Sequence, residues 1–218
     1  MTGRVALIVL LMLAPGLSSC ALFRAAPAPA APAAMVEVVE DPVPLEWASV
    51  ATERDRARLA ALEQSWSQAL ASARRFRRAM AGEGALLAPD AAQPRAAPTP
   101  GTYICRVIKL GGRPAFAAFR PFHCYVEAEG ELLTLVKGSG SQRPAGRLWA
   151  DGDTRMVFLG AMGFGAEDPP AYGEDASRDV AGRLERVAPF RWRLVIPDPG
   201  DGALLDVYEL IPSVPLDP

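Results

Sequence analysis

Residues 101–147 read GTYICRVIKLGGRPAFAAFRPFHCYVEAEGELLTLVKGSGSQRPAGR, and this stretch decides the fold. Runs of β-branched, aromatic and other apolar residues are separated by turn signals such as Gly111-Gly112 and Glu129-Gly130. Between residues 122 and 127, Phe, Cys and Val alternate with His, Tyr and Glu, which is the pattern of a strand with one buried face. The stretch therefore predicts the opening hairpins of a small antiparallel β domain.

The same succession of strands and turns continues towards the C-terminus. In residues 191–196, apolar Trp, Leu and Ile alternate with Arg191 and Arg193. The absence of a strand–helix–strand pattern excludes a doubly wound sheet. We therefore expect a mainly β (α+β) fold with an antiparallel β-barrel or sandwich, lipocalin-like, of about eight short strands and one N-terminal amphipathic helix. The predicted strands are Thr102–Leu110, Ala115–Ala128, Glu131–Lys137, Arg147–Ala150, Arg155–Leu159, Val180–Val187, Arg191–Ile196 and Leu204–Ile211.

Two of the three cysteines, Cys105 and Cys124, lie on adjacent predicted strands and are expected to form a structural disulfide. A closed loop of roughly 20 residues would contribute about 3 kcal/mol to stability. The alternatives are two buried free thiols or a nucleophilic cysteine. The chain has no Cys-x-x-Cys spacing, which argues against a redox motif.

The N-terminus predicts export and a lipid anchor. Val5–Leu13 is an unbroken apolar run, about half as long as a bilayer-spanning helix. Residues 17–20, LSSC, follow it and resemble the bacterial lipoprotein signal. We therefore expect Cys20 to carry acyl chains, palmitate among them, that hold the protein on a membrane. The alternative is an ordinary signal peptide with a cysteine at this position by chance.

The expected location is the cell envelope, with a lipid-anchored protein that faces the periplasm. Ala21 follows the cysteine, and by resemblance to other lipoproteins the lack of Asp there favours the outer membrane. The net charge of -2 gives no overall basic field, so nucleic acid is not an expected partner. With a single histidine and no ligand cluster at usable spacing, we expect no metal, and we expect no cofactor.

Pro/Ala-rich stretches mark the boundaries between segments, because such sequences form extended, semi-rigid spacers. We expect a signal peptide at 1–19, a lipidated Cys and Pro/Ala tether at 20–44, an amphipathic helix at 45–84, a Pro/Ala linker at 85–100, the antiparallel β domain at 101–212 and a tail at 213–218. Residues 162–178 are rich in Gly, Pro and acidic residues and predict a long loop that could cover one barrel end.

The helical segment has an apolar face on which Leu59, Leu62 and Trp66 recur at helical spacing. Thr52 and Asp55 resemble a capping box, so the helix is expected to start or restart there. A helix that begins at such a cap would place its apolar face on the β domain.

Residues 74–78, RRFRR, bring four arginines to the C-terminal end of the helical segment. One interpretation is contact with anionic lipid headgroups or nucleic acid. The other is a solvated helix end, placed favourably in the helix dipole. The run is short and the flanking Glu63 and Glu83 oppose its charge, so the sequence favours the second interpretation.

The turn Gly138–Pro144 offers a candidate binding site. Glycines allow a close approach of the backbone, and the polar side chains could bind a carboxylate, a phosphate or a sugar. The alternative is a hairpin loop whose side chains satisfy its own backbone. Lys137 and Arg147 could join the site in space. The candidate ligand-binding residues are Lys109, Ser139, Ser141, Gln142 and Arg143.

No catalytic residue is assigned, and the sequence favours a protein without enzymatic activity over an enzyme. A serine hydrolase would combine Ser139 or Ser141 with His123, but the run Gly-Ser-Gly-Ser-Gln does not have the spacing of a nucleophile elbow. Trp149, Phe164 and Tyr172 could line a barrel mouth for an apolar ligand, or belong to the core.

Several motifs together resemble a family of alphaproteobacterial proteins known only as a domain of unknown function. The motifs are TYICRVIKLG at 102–111, GSQRPAG at 140–146, VFLG at 157–160, DVAGRLER at 179–186 and RWRLVIP at 191–197. The resemblance spans residues 45–212 and implies no activity. A looser similarity, at the level of the fold alone, is to small lipocalin-like barrels that include periplasmic protease inhibitors.

The sequence therefore predicts a lipid-anchored cell-envelope protein that acts as a non-enzymatic binding or structural module. Its partner would be a small ligand, a cell-wall component or an envelope protein, in addition to the membrane. The first alternative is a periplasmic inhibitor of a protease or lysozyme. The second is a serine-type hydrolase.

Overall fold

The structure is a computed structural model that describes residues 46–213. The predicted signal peptide, the lipidation site at Cys20, the tether and the last five residues of the tail lie outside the described residues. Within the described part, no helix is both long and apolar enough to cross a bilayer.

Nine strands follow one another between residues 46 and 213. They are β1 (Gly101–Leu110), β2 (Phe116–Ala118), β3 (Phe122–Glu129), β4 (Leu132–Lys137), β5 (Gln142–Ala150), β6 (Met156–Phe164), β7 (Asp179–Ala188), β8 (Arg191–Pro197) and β9 (Leu205–Pro212). Eight of them form an antiparallel barrel in the order β1-β3-β4-β5-β6-β7-β8-β9, and β9 closes it by pairing with β1. β2 pairs with the end of β1. The predicted fold class is confirmed, as a barrel.

Strands β5 and β6 are longer than the sequence predicts. Gln142, Arg143 and Pro144 were expected in a turn, but they pair with β6 as the first residues of β5. The pairing of β5 with β4 begins only at Ala145, so Pro144 sits on a local strand edge where no ladder donor is needed. The predicted strand 115–128 is instead divided into β2 and β3, and Pro121 lies in the gap.

The predicted disulfide is confirmed. Cys105 on β1 and Cys124 on β3 are bonded, with 5.9 Å between their Cα atoms. Both side chains point into the barrel and are 1–2% exposed. The bridge ties the first two barrel strands together inside the main core, which also contains Phe158, Leu148 and Tyr208.

Helices cover the outer face of the closing strands. The segment begins with α1 (Trp47–Val50) and α2 (Glu53–Ala60), and continues with α3 (Leu62–Ser72) and α4 (Arg77–Ala81). Short 3-10 turns follow α3 and α4, at Arg74–Phe76 and Gly84–Leu87. The predicted amphipathic helix is thus divided into short helices, and its apolar residues form a second core with β1, β8 and β9.

The predicted helix restart at Thr52 is confirmed. The Asp55 backbone N–H donates to Thr52 Oγ1 at 3.2 Å, which caps α2. The Asp55 carboxylate is fully buried and accepts from Arg58 Nη1 at 2.8 Å and from the Tyr172 hydroxyl at 2.7 Å. The Arg58 guanidinium also donates to the Asp179 carbonyl at 2.8 Å, so this cap joins α2 to β7.

Arg193 joins the helical segment to the barrel. Its side chain is fully buried on the outer face of β8, 5.2 Å from the centroid of the Trp66 ring of α3. Its Nε donates to Glu185 Oε2 of β7 at 2.7 Å. Its two terminal nitrogens donate to the carbonyl oxygens of Ala85, Leu86, Ala88 and Pro89. This one side chain therefore gives hydrogen-bond donors to the carbonyl oxygens at the end of the helical segment and neutralises the buried Glu185 carboxylate.

The predicted Pro/Ala linker lies along the barrel. Gln93 N–H donates to the Arg186 carbonyl at 2.8 Å, and the Trp192 indole N–H donates to the Ala96 carbonyl at 2.9 Å. Ala96 is buried in the main core. These contacts hold residues 93–96 against the barrel, between the helical segment and the start of β1.

Candidate functional site

Polar side chains from the ends of five strands lie together at one mouth of the barrel. Strands β1 and β4 end at this mouth, and β3, β5 and β9 begin there, because neighbouring strands are antiparallel. A pocket of about 380 Å³ opens between the strand ends and the turn 138–141. Its wall includes Lys109, Arg120, Lys137, Ser139, Ser141 and Gln142.

Lys109 is bound by two carboxylates. Its Nζ donates to the two oxygens of Asp206 at 2.8 and 2.6 Å, and to Asp201 Oδ2 at 2.5 Å. Asp206 is fully buried, and the Tyr208 hydroxyl donates to the same carboxylate at 3.4 Å. Since an ammonium group has three donors, these bonds use all of them within the protein. The Lys109 side chain therefore neutralises a buried acid.

Two cations of this mouth, Lys137 and the exposed Arg120, have no bonded partner among the described residues. Lys137 is the buried one of the two. Its side chain is only 8% exposed, and its Nζ lies 4.2 Å from the centroid of the Phe122 ring and 5.9 Å from that of Tyr208. Within residues 46–213, no carboxylate is close enough to form an ion pair with this amine, and no acceptor is within hydrogen-bond distance. Aromatic faces stabilise a cation but do not use its N–H donors. The donors of Lys137 therefore remain available to a ligand.

The turn backbone passes close to this amine. Gly140 has a φ of 102°, a conformation that favours glycine, and a Cβ built on it would lie 3.4 Å from Lys137 Nζ. That distance is an ordinary van der Waals contact, so the backbone conformation, rather than the space beside Lys137, favours glycine at this position.

Burial shifts the pKa values of the ionisable groups at the mouth. Burial, helped by the positive charge of Lys109, lowers the pKa of Lys137 to about 8. Burial raises the pKa of Asp206 to about 6, although the nearby Lys109 charge acts in the opposite direction. Burial also raises the pKa of Tyr208 well above its ordinary value. At neutral pH the Lys137 amine is mostly charged, and a bound anion would stabilise that charge.

The structure brings together four of the five predicted ligand-binding residues. Lys109, Ser139, Ser141 and Gln142 all line the mouth pocket. Arg143 points elsewhere and donates to the Glu167 carbonyl of the loop 165–178.

The two cations that were expected to join the site take different positions. Lys137 lies at its centre. Arg147 pairs with Glu129 on the outer surface, where its Nε lies 3.0 Å from a Glu129 carboxylate oxygen.

Several groups at this mouth were not predicted from the sequence. Arg120, Phe119 and Phe122 line the pocket, and the carboxylates of Asp201 and Asp206 bind Lys109. The predicted strand 204–211 contains two acids, Asp206 and Glu209, which alternation places on opposite faces. The inward position of Asp206 follows from the alternation with Tyr208 and Leu210, which belong to the main core.

The aromatic residues considered for a barrel mouth take two positions. Phe164 pairs with Gln142 at the mouth end of β6, on the strand face that Met162 turns to the main core, and is 46% exposed. Trp149 and Tyr172 belong to a cluster on the outer surface of the barrel. A second pocket of about 380 Å³ lies there, between the outer faces of β4 and β5 and the loop 165–178. Tyr172 anchors this loop, because its hydroxyl accepts from the Thr52 backbone N–H at 2.9 Å.

The residues considered for hydrolysis are separated by the barrel wall. His123 is exposed on the outer face of β3, while Ser139 and Ser141 line the mouth pocket. In the described part of the chain, no hydrogen bond joins either serine to the histidine. The same part holds no group of three or more His, Cys, Asp or Glu side chains arranged for a metal.

Fold and site define a closed antiparallel β-barrel with a cationic, aromatic-walled pocket at one mouth. The model of a domain of unknown function (DUF4893) matches residues 47–210, so the chain belongs to this family. The match confirms the resemblance to a domain of unknown function and covers the helical segment as well as the barrel. No curated protein and no solved structure matches the chain.

Proposed function

We propose that this protein is a lipid-anchored, periplasm-facing binding module whose barrel mouth takes a small molecule with a carboxylate or phosphate group. The observation that carries the proposal is the Lys137 amine, which faces a pocket without an acidic partner among the described residues. A charged amine held in this way is a preformed site for an anion.

The pocket offers a distinct environment to each part of such a ligand. The anionic group would meet Lys137, with the hydroxyls of Ser139 and Ser141 beside it. The rings of Phe119 and Phe122 form the apolar side, which suits an aromatic or aliphatic body. The proposed activity is therefore the binding of such a molecule.

The binding proposal can be tested with benzoate and phenyl phosphate as probes and neutral benzamide as their comparison. Isothermal titration should show binding of at least one anionic probe and weaker binding of benzamide. The Lys137→Met variant should lose about tenfold to a hundredfold in affinity for that probe, because a hydrogen bond to a charged group contributes about 1.5–3 kcal/mol. The affinity should be highest below pH 8 and fall at higher pH, since Lys137 loses its charge there.

Arg147→Met is the matched control. It removes the same charge from the outer surface, where Arg147 pairs with Glu129, and should leave the affinity unchanged. An equal loss in both variants would show that general electrostatics, rather than the mouth, binds the probes. Equal binding of benzamide would contradict an anion site.

The proposed anchor rests on residues 17–20 and has its own test. Intact mass spectrometry of protein purified from a bacterial membrane should show the loss of residues 1–19 and the addition of acyl chains on Cys20. Reduction should add two protons as the Cys105–Cys124 bond opens. A chain that keeps residues 1–19, or lacks acyl groups, would contradict the anchor and leave the mouth site unaffected.

A further inference from the structure

The arginine turn, residues 74–78, is a cationic surface without counterions in the described part of the chain. It consists of Arg74, Arg75, Arg77 and Arg78 around Phe76, and all four arginines are exposed. Within residues 46–213, none of the four guanidinium groups makes an ion pair or a hydrogen bond with another residue. Arg75 only stacks on the neighbouring Phe76 ring, at 4.9 Å from its centroid.

Most other arginines of the described part are engaged. Examples are Arg58, Arg106 and Arg193, each of which bonds at least two partners. Some exposed arginines also have acidic partners, as Arg147 has in Glu129 and Arg155 in Asp151. The arginine turn therefore differs from the rest of the protein surface in having four adjacent charges that no described group neutralises.

The two flanking acids do not neutralise the turn. Glu83 accepts from both terminal nitrogens of Arg106, and Glu63 accepts from Arg183 Nη1 at 2.8 Å. The sequence favours a solvated helix end because these acids stand nearby in the chain, but in the fold both are bound to other arginines. The helix-dipole argument also weakens, because a 3-10 turn and a new helix interrupt the segment here.

The surface is held in place by its central aromatic residue. The Phe76 ring packs on the Phe116 ring of β2, with 5.9 Å between centroids. Arg113 lies three residues before Phe116 and is also without a bonded partner in the described chain. The contact of Phe76 thus fixes the backbone that carries the four cations against the barrel wall.

We propose that the arginine turn docks the barrel onto the anionic phosphate headgroups of a phospholipid membrane. Arginine forms paired hydrogen bonds with phosphate, and a cluster of four cations suits a surface that carries many phosphates. A lipid surface fits better than nucleic acid because residues 17–20 also predict an acyl anchor that would hold the domain beside a membrane. The proposal is independent of the mouth pocket, and it adds a second contact to the expected acyl anchor.

The test uses the mature chain with Cys20→Ser, so that acyl chains cannot contribute. Co-sedimentation should show binding to vesicles of phosphatidylethanolamine and phosphatidylglycerol, and little binding to phosphatidylcholine vesicles. Raising NaCl to about 0.5 M should release the protein, because screening shortens the range of the attraction. Changing all four arginines of the turn to glutamine should weaken vesicle binding about a hundredfold or more.

Two control variants separate this surface from net charge. Changing the four arginines to lysine should retain most of the binding, since the positive charge remains. Arg54, Arg95, Arg147 and Arg155 changed together to glutamine remove the same charge elsewhere, without freeing Glu63 or Glu83, and should have a much smaller effect. Equal loss in the two glutamine variants, equal binding to phosphatidylcholine, or retention on duplex DNA but not on anionic vesicles would overturn the proposal.

Discussion

Replacing Arg193 with methionine is expected to lower the free energy of unfolding by about 3–5 kcal/mol. Methionine fills much of the space but removes the cation that bonds the buried Glu185 carboxylate at 2.7 Å, and leaves it only Arg183 Nη1 at 3.9 Å. It also leaves several carbonyl oxygens at the end of the helical segment without a donor. Each unsatisfied buried group adds its desolvation cost to the loss of packing on Trp66.

Urea unfolding of the wild type, Arg193→Met and two comparison variants would measure this effect. Arg193→Lys keeps the charge but has fewer donors, so an intermediate loss is expected. Arg191→Met removes a neighbouring arginine that is 26% exposed and bonds Glu209, and should cost about 1 kcal/mol. A loss for Arg193→Met no larger than that for Arg191→Met would show that Arg193 does not hold the helical segment to the barrel.

The Asp206→Asn variant is expected to change the pH dependence of stability at the barrel mouth. In the folded protein the pKa of Asp206 is raised from 3.8 to about 6. Below pH 3.8 the Asp206 carboxyl is protonated in both the folded and the unfolded state, so it contributes nothing to the pH dependence of stability. Between pH 3.8 and pH 6 the Asp206 carboxyl ionises more readily in the unfolded chain than in the folded protein. The wild type therefore loses stability as the pH rises through this range. Asparagine cannot ionise, and the variant should lack this loss.

The expected size follows from the two pKa values. A tenfold change in acidity corresponds to about 1.4 kcal/mol, so the wild type should lose about 3 kcal/mol relative to Asp206→Asn between pH 3.8 and 6. Urea unfolding at several pH values would measure the difference. Asp201→Asn is the control. The pKa of Asp201 is lowered in the folded protein, so the contribution of this carboxyl to the pH dependence of stability lies below pH 3.8. A constant difference between the wild type and Asp206→Asn would contradict a buried, raised acid.

Local signals predicted much of this fold. Thr52 and Asp55 indicated a helix start, because a cap is a contact within one turn of the chain. Alternating apolar residues predicted the strands and the disulfide between neighbours. The start of β5 was missed since Pro144 normally interrupts a strand, and only the register with β4 shows that its position is an edge.

The groups with the largest energetic roles were harder to predict. Arg193 alternates with apolar neighbours, so its face of β8 resembles a solvent-exposed face until the helices are placed on it. Lys137 and Asp206 come from strands far apart in the chain, and only barrel closure brings them to one mouth. The cluster of four arginines could be recognised in the sequence. Whether Glu63 and Glu83 neutralise it could not, because that depends on which arginines bind these two acids in the fold.

The pairing of β9 with β1 also sets the order of events when the protein is made. β1 is the first strand of the barrel to leave a ribosome or an export channel, and its partner β9 is the last. Until β9 emerges, one edge of β1 and one edge of β8 remain unpaired, and such edges readily join other chains. The barrel should therefore close only after β9 has emerged, and a chain truncated before Leu205 should aggregate rather than form a smaller barrel.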